Sequence, residues 1–290
     1  MRAKNLNHVS VVGLARNVES TLSAEIVRLR KLLEEIFVSI SFFVVESDSS
    51  DATVSTLEKL SQKIPDFNYV SLGSLEQEIP QRIKRLIACR NTYIRWLRKS
   101  KADGYVIVVD FDIRNTHLSS NSIEDAIRAL PEAAGIFANQ AGRYFDIYAL
   151  RCQNWSETDC LSEYWELRKS LSPADAKQRA IWSKMKKISK RSNPIEVDSA
   201  FGGFGIYQKT IFEMFDYEET KDSGVNESEH VNLHRKIRSS GGHLYIYPPL
   251  LNFGWNPHNL SSFRLLRSIE MHSRSKWLMR VRRLLRDNIR

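Results

Sequence analysis

Asp110 and Asp112 directly follow a short β-branched apolar run, Tyr105 to Val109 (YVIVV), which the turn signal Asp103-Gly104 precedes. The run is too short for a typical helix and reads as a buried strand. In an extended backbone, residues two apart project to the same side. Both carboxylates therefore leave the strand end together while Phe111 turns away. Two hard oxygen ligands with open positions suit Mg2+ or Mn2+ completed by substrate phosphates. That chemistry points to a diphosphate-bearing substrate.

Arg90 adds a second signal. On a helix turning about 100° per residue, Ile83, Leu86, Ile87, Ile94 and Leu97 form one apolar stripe with Arg90 near its centre. A guanidinium facing the core needs an anionic partner, because an unpaired buried charge is very costly. The partner is a carboxylate such as Asp112 or a bound phosphate. An Arg–Asp pair that only pins the helix to the sheet is the alternative, and the two roles can coexist.

The elements that must position these residues are legible in order. Val9–Leu14 is a first strand, Val18–Ile36 a helix, Val38–Val45 a second strand, 52–63 a helix and 69–72 a strand. The Arg90 helix and the Asp110 strand complete a β-α-β-α-β-α-β half, which predicts an α/β fold: a mostly parallel sheet with helices on both faces. Ligands in such sheets sit beyond the carboxyl ends of the strands. Arg16 and Asn17, Glu46 and Asp48, and Asp110 and Asp112 all fall there. Further on come a short helix at Ile123–Leu130 and one or two strands within Gly135–Leu150. Residues 155–193 are charged, helical and loop-like, with a Ser172-Pro173 helix start and the basic run KMKKISKR. Val197–Tyr207 contains Gly202 and Gly203, which permit close backbone approach to a ligand or mark a bulge. A helix at Glu227–Ile237, the strand HLYIYP and the loop LNFGWNPHN follow. No internal repeat or low-complexity segment is present.

The 290 residues suffice for one large or two small domains. No apolar run approaches the roughly 20 residues that span a bilayer, and the apolar stretch at the N-terminus is too short for a signal peptide. Cys89, Cys152 and Cys160 are odd in number and lack metal-ligand spacing, which fits buried free thiols in a reducing compartment. A cytoplasmic protein is expected. Of the net charge of +9, residues 261–290 carry +7 and the first 260 residues only +2. A nearly neutral body argues against nucleic-acid binding. Trp277, Leu278, Val281, Leu284, Leu285 and Ile289 follow helical spacing among the tail's basic residues. This suggests a basic amphipathic helix on an anionic membrane surface, so that the protein is peripheral at the inner face. A helix packed on the body, or one docking a partner enzyme, are the alternatives. The expected division is a domain at 1–260 and a tail at 261–290.

The ordered motifs resemble a nucleotide-sugar glycosyltransferase of the GT-A fold over most of residues 8–258. Arg90-Asn91 stands on a helix about twenty residues before the D-x-D of Asp110-Phe111-Asp112. Glu229-His230-Val231-Asn232-Leu233-His234-Arg235, then Gly241-Gly242 and Pro248, is similar to the E-D-x-x-L-x-x-R…G…P segment of many such enzymes. In detail the chain resembles the fungal α-mannosyltransferase families, including the cryptococcal capsule-associated type. Those families share an R-I…A-x-x-R-N helix and a later A-N…Y-D segment, here Ala138-Asn139 and Phe145-Asp146.

The resemblance implies Mn2+- or Mg2+-dependent transfer from a nucleotide-sugar donor to a glycan or lipid-linked glycan acceptor, in capsule or lipopolysaccharide assembly. It gives Asp112 to the metal, Asp110 to sugar, ribose or metal, and His258 to a late third metal position. Glu46 and Asp48 would read base and ribose. Arg16 and Asn17 would join the donor site, and Arg90 would meet the diphosphate or orient the aspartates. Asp146, Gly202 and Gly203 would face the acceptor, with an Asp146–Arg151 salt bridge as the alternative. Glu229, His230 and Asp110 form the implied catalytic set. His230 stands where many inverting members place the Asp that deprotonates the acceptor. Glu229 has helix capping as its alternative role, and the two histidines have hydrogen-bonded core positions. Trp155, Tyr164, Trp165 and Trp182 could stack on sugars or belong to the core. Rival functions are a nucleotidyltransferase and a catalytically inactive sugar-binding or scaffold protein.

Overall fold

The structure is a computed structural model that describes residues 6–219 and 227–253. Alternation of β-branched runs with amphipathic helices builds the first half: β1 (Leu6–Ala15), α1 (Glu19–Glu34), β2 (Phe37–Glu46), α2 (Thr53–Lys63), β3 (Phe67–Ser71), α3 (Leu75–Glu78), α4 (Arg82–Lys99) and β4 (Tyr105–Asp110). The second half contains α5 (Ser120–Ala129), β5 (Gly135–Asn139), α6 (Cys160–Leu167), α7 (Pro173–Ala180), a 3-10 turn at Trp182–Lys184, β6 (Ile195–Val197), β7 (Phe204–Gln208), α8 (Thr210–Met214), α9 (Glu229–Ser239) and β8 (Leu244–Leu251). Local chemistry sets several starts. The Ser119 and Ser122 side chains form a reciprocal capping box on α5, and Ser172 caps α7 with Pro173 in its first turn.

The eight strands form one sheet in the order β3-β2-β1-β4-β7-β5-β8-β6. β1 pairs in parallel with β2 and β4, β2 with β3, and β5 with β8. β7 runs antiparallel between β4 and β5, and β6 is antiparallel to β8. Strand alternation divides the core into two layers. Val9, Val11, Ile107 and Val109 pack under α1, α2 and α5, whereas Val12, Val106 and Val108 pack under α4 and α9. The expected class, a mostly parallel α/β sheet with helices on both faces, is what the structure shows.

Gly135–Leu150 holds one strand, within the one or two expected, and beyond Asn139 this stretch pairs only through an isolated Arg143–Lys187 bridge. The 197–207 run splits into two strands around the glycine pair, and α3 and α8 are short helices without a periodic signal. All three cysteines are buried free thiols. No described helix is long and apolar enough to cross a membrane. His258, the expected boundary at 260 and the basic tail lie outside the described residues.

Candidate active site at the carboxyl ends of the parallel strands

A cleft of about 340 Å3 opens where β1, β2 and β4 end. Its walls include Arg16 after β1, Asp48 after β2, and Asp110 with Asp112 at the end of β4. The opposite wall is Asp146, Tyr148, Phe201, Glu229 and His230. Arg82, Arg85, Leu86, Cys89 and Arg90 of α4 form a third side. Their i, i+3, i+4, i+7, i+8 spacing is one helix face. The apolar stripe proposed from sequence overlaps this face at Leu86 and Arg90, and Ile83, Leu86 and Ile87 are only half-buried.

Arg90 is buried, as its position in the stripe requires, but its anionic partners are Glu229 and Asp110. Asp112 is not one of them. The Arg90 Nε donates to Glu229 Oε1 at 2.8 Å, both side chains being 4% exposed, and a terminal nitrogen lies 3.6 Å from Asp110 Oδ1. The guanidinium carbon sits 5.5 Å from the ring centroids of both Phe201 and Tyr217, an aromatic sandwich that favours the cation. Burial works against the charge, but the surrounding acidic groups, Glu229 and Asp110 among them, hold Arg90 protonated. Glu229 stands in the first turn of α9 and uses its carboxylate on Arg90 rather than on a cap. Asn91 ties α4 to a different segment, since its side-chain amide exchanges two hydrogen bonds with the backbone of Tyr217, at 2.9 and 3.0 Å.

The two aspartates reach the cleft by a different route from the one alternation predicts. β4 ends at Asp110, and the Ile113 N–H donates to the Asp110 carbonyl at 3.3 Å, so residues 110–113 form a turn. Phe111 is buried in the layer under α1 and α5. Asp112 is exposed, while the Asp110 side chain is 31% exposed, enclosed by protein yet reached from the cleft. Burial pushes the Asp110 carboxyl up to about 7 against the pull of Arg90, and the Asp112, Glu229 and Asp146 carboxylates add to the rise. This surplus of negative charge is the condition a divalent cation relieves. Asp110 and Asp112 are two carboxylates that both line the cleft, and among the described residues no third His, Cys, Asp or Glu side chain is grouped beside them to hold a metal.

Asp146 does not pair with Arg151. Its oxygens accept the Gly202 N–H at 2.9 Å and the Ala149 N–H at 3.3 Å, and burial still raises its pKa. Arg151 instead binds Asp159 and Glu227 at 2.7 and 3.1 Å. His230 stacks on Phe201 with centroids 3.9 Å apart, and neither ring nitrogen has a hydrogen-bond partner. Burial, then the Arg90 charge, then His234 push its pKa well below 6.5, so the ring is neutral. His234 is a satisfied core residue, bonded to Ser199 and Tyr207 at 2.9 Å each.

Four expected donor or acceptor residues lie off the cleft wall, bonded or packed within the protein. Glu46 is buried and accepts from the Ser49 N–H and the Ser71 hydroxyl, off the cleft wall. Asn17, at φ +54°, accepts from the Ser50 N–H. Gly202 and Gly203 take φ of +68° and +85°, and a Cβ on either would meet protein: Gln140 Nε2 at 2.7 Å and Ile113 Cδ1 at 2.5 Å. Their close approach is therefore to neighbouring side chains, and the Gly203 carbonyl accepts the Asp110 N–H at 3.0 Å. Arg16 and Asp48 do line the cleft. Arg16 Nε donates to the Asp48 carbonyl at 3.2 Å, and its terminal nitrogen pairs with Glu76 at 3.0 Å. Trp155, Tyr164, Trp165 and Trp182 all lie away from the cleft wall. Arg82, Arg85, Tyr148 and Phe201 line it without having been singled out. The α4 face spacing is the signal that finds the two arginines, whereas Tyr148 and Phe201 sit on irregular segments that carry none.

No protein-family model matches the sequence, and no curated protein sequence matches it. Among solved structures the chain is similar to a mannosyltransferase from Pyrobaculum calidifontis in complex with GDP-mannose and Mn2+, at 16% identity and TM-score 0.47 over 84% of this chain and 56% of that one. It is also similar to glucosyl-3-phosphoglycerate synthase from Mycobacterium tuberculosis in complex with UDP, at 14% identity and TM-score 0.42 over 85% of this chain and 69% of that one. The same synthase with Mn2+, UDP and phosphoglyceric acid gives 14% identity and TM-score 0.42, over 85% and 66%. The chain spans just over half the length of the first.

Proposed function

We propose that the chain is a GT-A-type glycosyltransferase that moves a hexose from a nucleoside diphosphate sugar to a glycan or lipid-linked glycan, with Mn2+ or Mg2+ held by Asp110 and Asp112. One observation carries the reading. Two carboxylates, Asp110 and Asp112, share one cleft with Arg16, Arg82, Arg85 and Arg90 at the carboxyl ends of β1, β2 and β4, and Arg90 alone of these stands beside Asp110. That is the charge pattern of a bound diphosphate and its cation. When bound, the cation supplies neutralisation of the diphosphate as it leaves.

The protein's own groups divide the remaining work. Arg90 keeps a fixed positive charge beside Asp110, and its aromatic sandwich and Glu229 prevent it from swinging away. Arg16 and Arg82, both solvent-exposed on the cleft wall, are placed to meet the donor's phosphates or ribose. Asp146, Tyr148 and His230 on the opposite wall receive the acceptor. His230 is neutral and stacked on Phe201 with both ring nitrogens buried, so it shapes that wall as a packed ring rather than through a hydrogen bond. The motif likeness to capsule-associated α-mannosyltransferases favours mannose as the sugar and an envelope polysaccharide as the product. The basic tail favours action at the inner membrane face.

The test is turnover of a radiolabelled nucleotide-sugar panel with and without Mn2+. Cation-dependent consumption of one donor is the expected result. Consumption of a nucleoside triphosphate with release of pyrophosphate would identify a nucleotidyltransferase and overturn the proposal. Absence of any cation-dependent nucleotide binding would overturn it in favour of an inactive sugar-binding protein.

A further inference from the structure

Residues 177–193 contain seven Lys or Arg and no Asp or Glu. Because the first 260 residues are net +2, the rest of that body is net −5. Its near-neutrality therefore conceals a strong local field. Lys177, Arg179, Lys186, Lys187, Lys190 and Arg191 are all exposed. Within this stretch Lys184 alone has an acidic partner among the described residues, Glu163. The isolated bridge between Arg143 and Lys187 brings one more exposed cation alongside. Ordinary solvated surfaces intersperse the two signs. A single-sign run raises self-repulsion, which an anionic partner relieves.

Two further features describe that partner. The segment's apolar side chains face inward: Trp182, Met185 and Ile188 are buried in the layer under α4, and Ile181 packs against it. Lys186 and Lys177 lie flat over Trp155 and Trp182, 5.5 and 4.9 Å from the ring centroids. The segment itself thus offers charge and exposes no large apolar side chain as a wedge for a bilayer. The segment is also fastened to the acceptor side of the cleft. The Tyr144 N–H donates to the Lys186 carbonyl at 2.8 Å, and Asn139 Nδ2 donates to the Ile188 carbonyl at 3.2 Å. Asp146, on the cleft wall, follows Tyr144 by two residues.

We propose that residues 177–193 form a track for an anionic glycan, a linear polymer bearing carboxylate or phosphate groups, whose end enters the cleft beside Asp146. That the polymer is the acceptor rests on the transferase reading above; that it binds this segment does not.

The test uses the full chain and fluorescence anisotropy with labelled polygalacturonate oligomers, with neutral dextran oligomers as control, without donor or metal. Binding of the uronate alone, weakening as salt rises, is expected. Lys186→Glu/Lys187→Glu/Lys190→Glu/Arg191→Glu should weaken it about tenfold or more. The corresponding four-residue Gln variant, which keeps side-chain length, should lose less. Circular dichroism should show both folded. Reversing Arg280, Arg282, Arg283 and Arg286 in the tail should weaken binding less than the segment reversal. Unchanged affinity in the segment variants, or a tail variant that accounts for the whole loss, overturns the proposal. So does a segment reversal that abolishes cosedimentation with phosphatidylglycerol vesicles but spares the uronate, which would make the surface a membrane contact. Nucleotide binding with Mn2+, measured separately, reads the transferase proposal and is independent of these outcomes.

Discussion

Arg90→Met removes the one cation that Glu229 touches among the described residues while keeping most of the side-chain volume. The Glu229 carboxylate, 4% exposed, then loses a 2.8 Å charge-assisted hydrogen bond, and Asp110 loses a charge 3.6 Å away. Breaking one side of a buried pair costs about 3–5 kcal/mol. Depth of burial leaves solvent little scope to screen that loss. For chains of this order a kilocalorie shifts Tm by about 2–4 °C, so the variant should melt about 10 °C lower. Arg90→Met/Glu229→Gln should recover at least half of the loss, because the orphaned charge is gone. Arg90→Lys should fall between, since an ammonium restores charge without the planar fork that bonds Glu229 while stacked between two rings. Thermal melts and urea titrations of the parent, Arg90→Met, Glu229→Gln and the double variant supply the cycle, with Arg90→Lys beside them. A single variant that melts within about 2 °C of the parent, or a double variant no better than the single, refutes the buried-pair reasoning.

Asp112→Asn should abolish cation-dependent nucleotide binding by calorimetry with Tm unchanged, because Asp112 is exposed; retained binding would remove it from the metal site. Gly203→Ala should lower activity and cost about 1–2 kcal/mol in urea titration, since φ is +85° and a Cβ would meet Ile113 at 2.5 Å; a neutral effect would mean the 110–113 turn does not depend on that contact. Burial, with a contribution from Arg90, lowers the His234 pKa to about 3. The unfolded ring takes up a proton below pH 6.5 while the folded ring does not, so stability should fall as pH drops from 6.5 toward 3, by up to about 1.4 kcal/mol per unit. His234→Gln should flatten that limb, and an unaltered slope would show that His234 titrates alike in both states. Deletion of 261–290 should release the protein from anionic vesicles; equal cosedimentation by the truncated chain would end the membrane reading.

Periodicity reveals which face of an element is buried but not what is packed against it. A single charge inside the α4 stripe is enough to bury Arg90. Its partner Glu229 lies 139 residues away, and no local pattern names it. The strand ends that line the cleft are legible because parallel α/β sheets place ligands there. Which of two neighbouring carboxylates faces in is not legible. Glu46 closes the β2–β3 connection on Ser49 and Ser71 while Asp48 reaches the cleft wall, a choice made by the positive φ at Asp48. The glycine pair is readable as a place of close approach, but whether a ligand or a side chain approaches depends on Ile113 and Gln140. The basic run KMKKISKR is legible in the sequence, but the body's nearly neutral sum gives no sign of it, and only the structure shows its cations exposed on one fastened segment.

The antiparallel seat of β7 between β4 and β5 governs when this site can exist during synthesis. Residues 1–130 read as a self-sufficient β-α-β array and contain Arg90, Asp110 and Asp112. Until Phe204–Gln208 emerges, however, β4 presents one unpaired edge with the sequence YVIVVD. That edge is unpaired and apolar, a template on which another chain can pair. The turn bearing the aspartates also lacks the Gly203 carbonyl that fixes it, and Arg90 has no Glu229. The chemistry-bearing half is therefore assembled last although it is translated first. A nascent chain halted before β7 carries both aspartates and Arg90, yet it holds an open strand edge in place of a site.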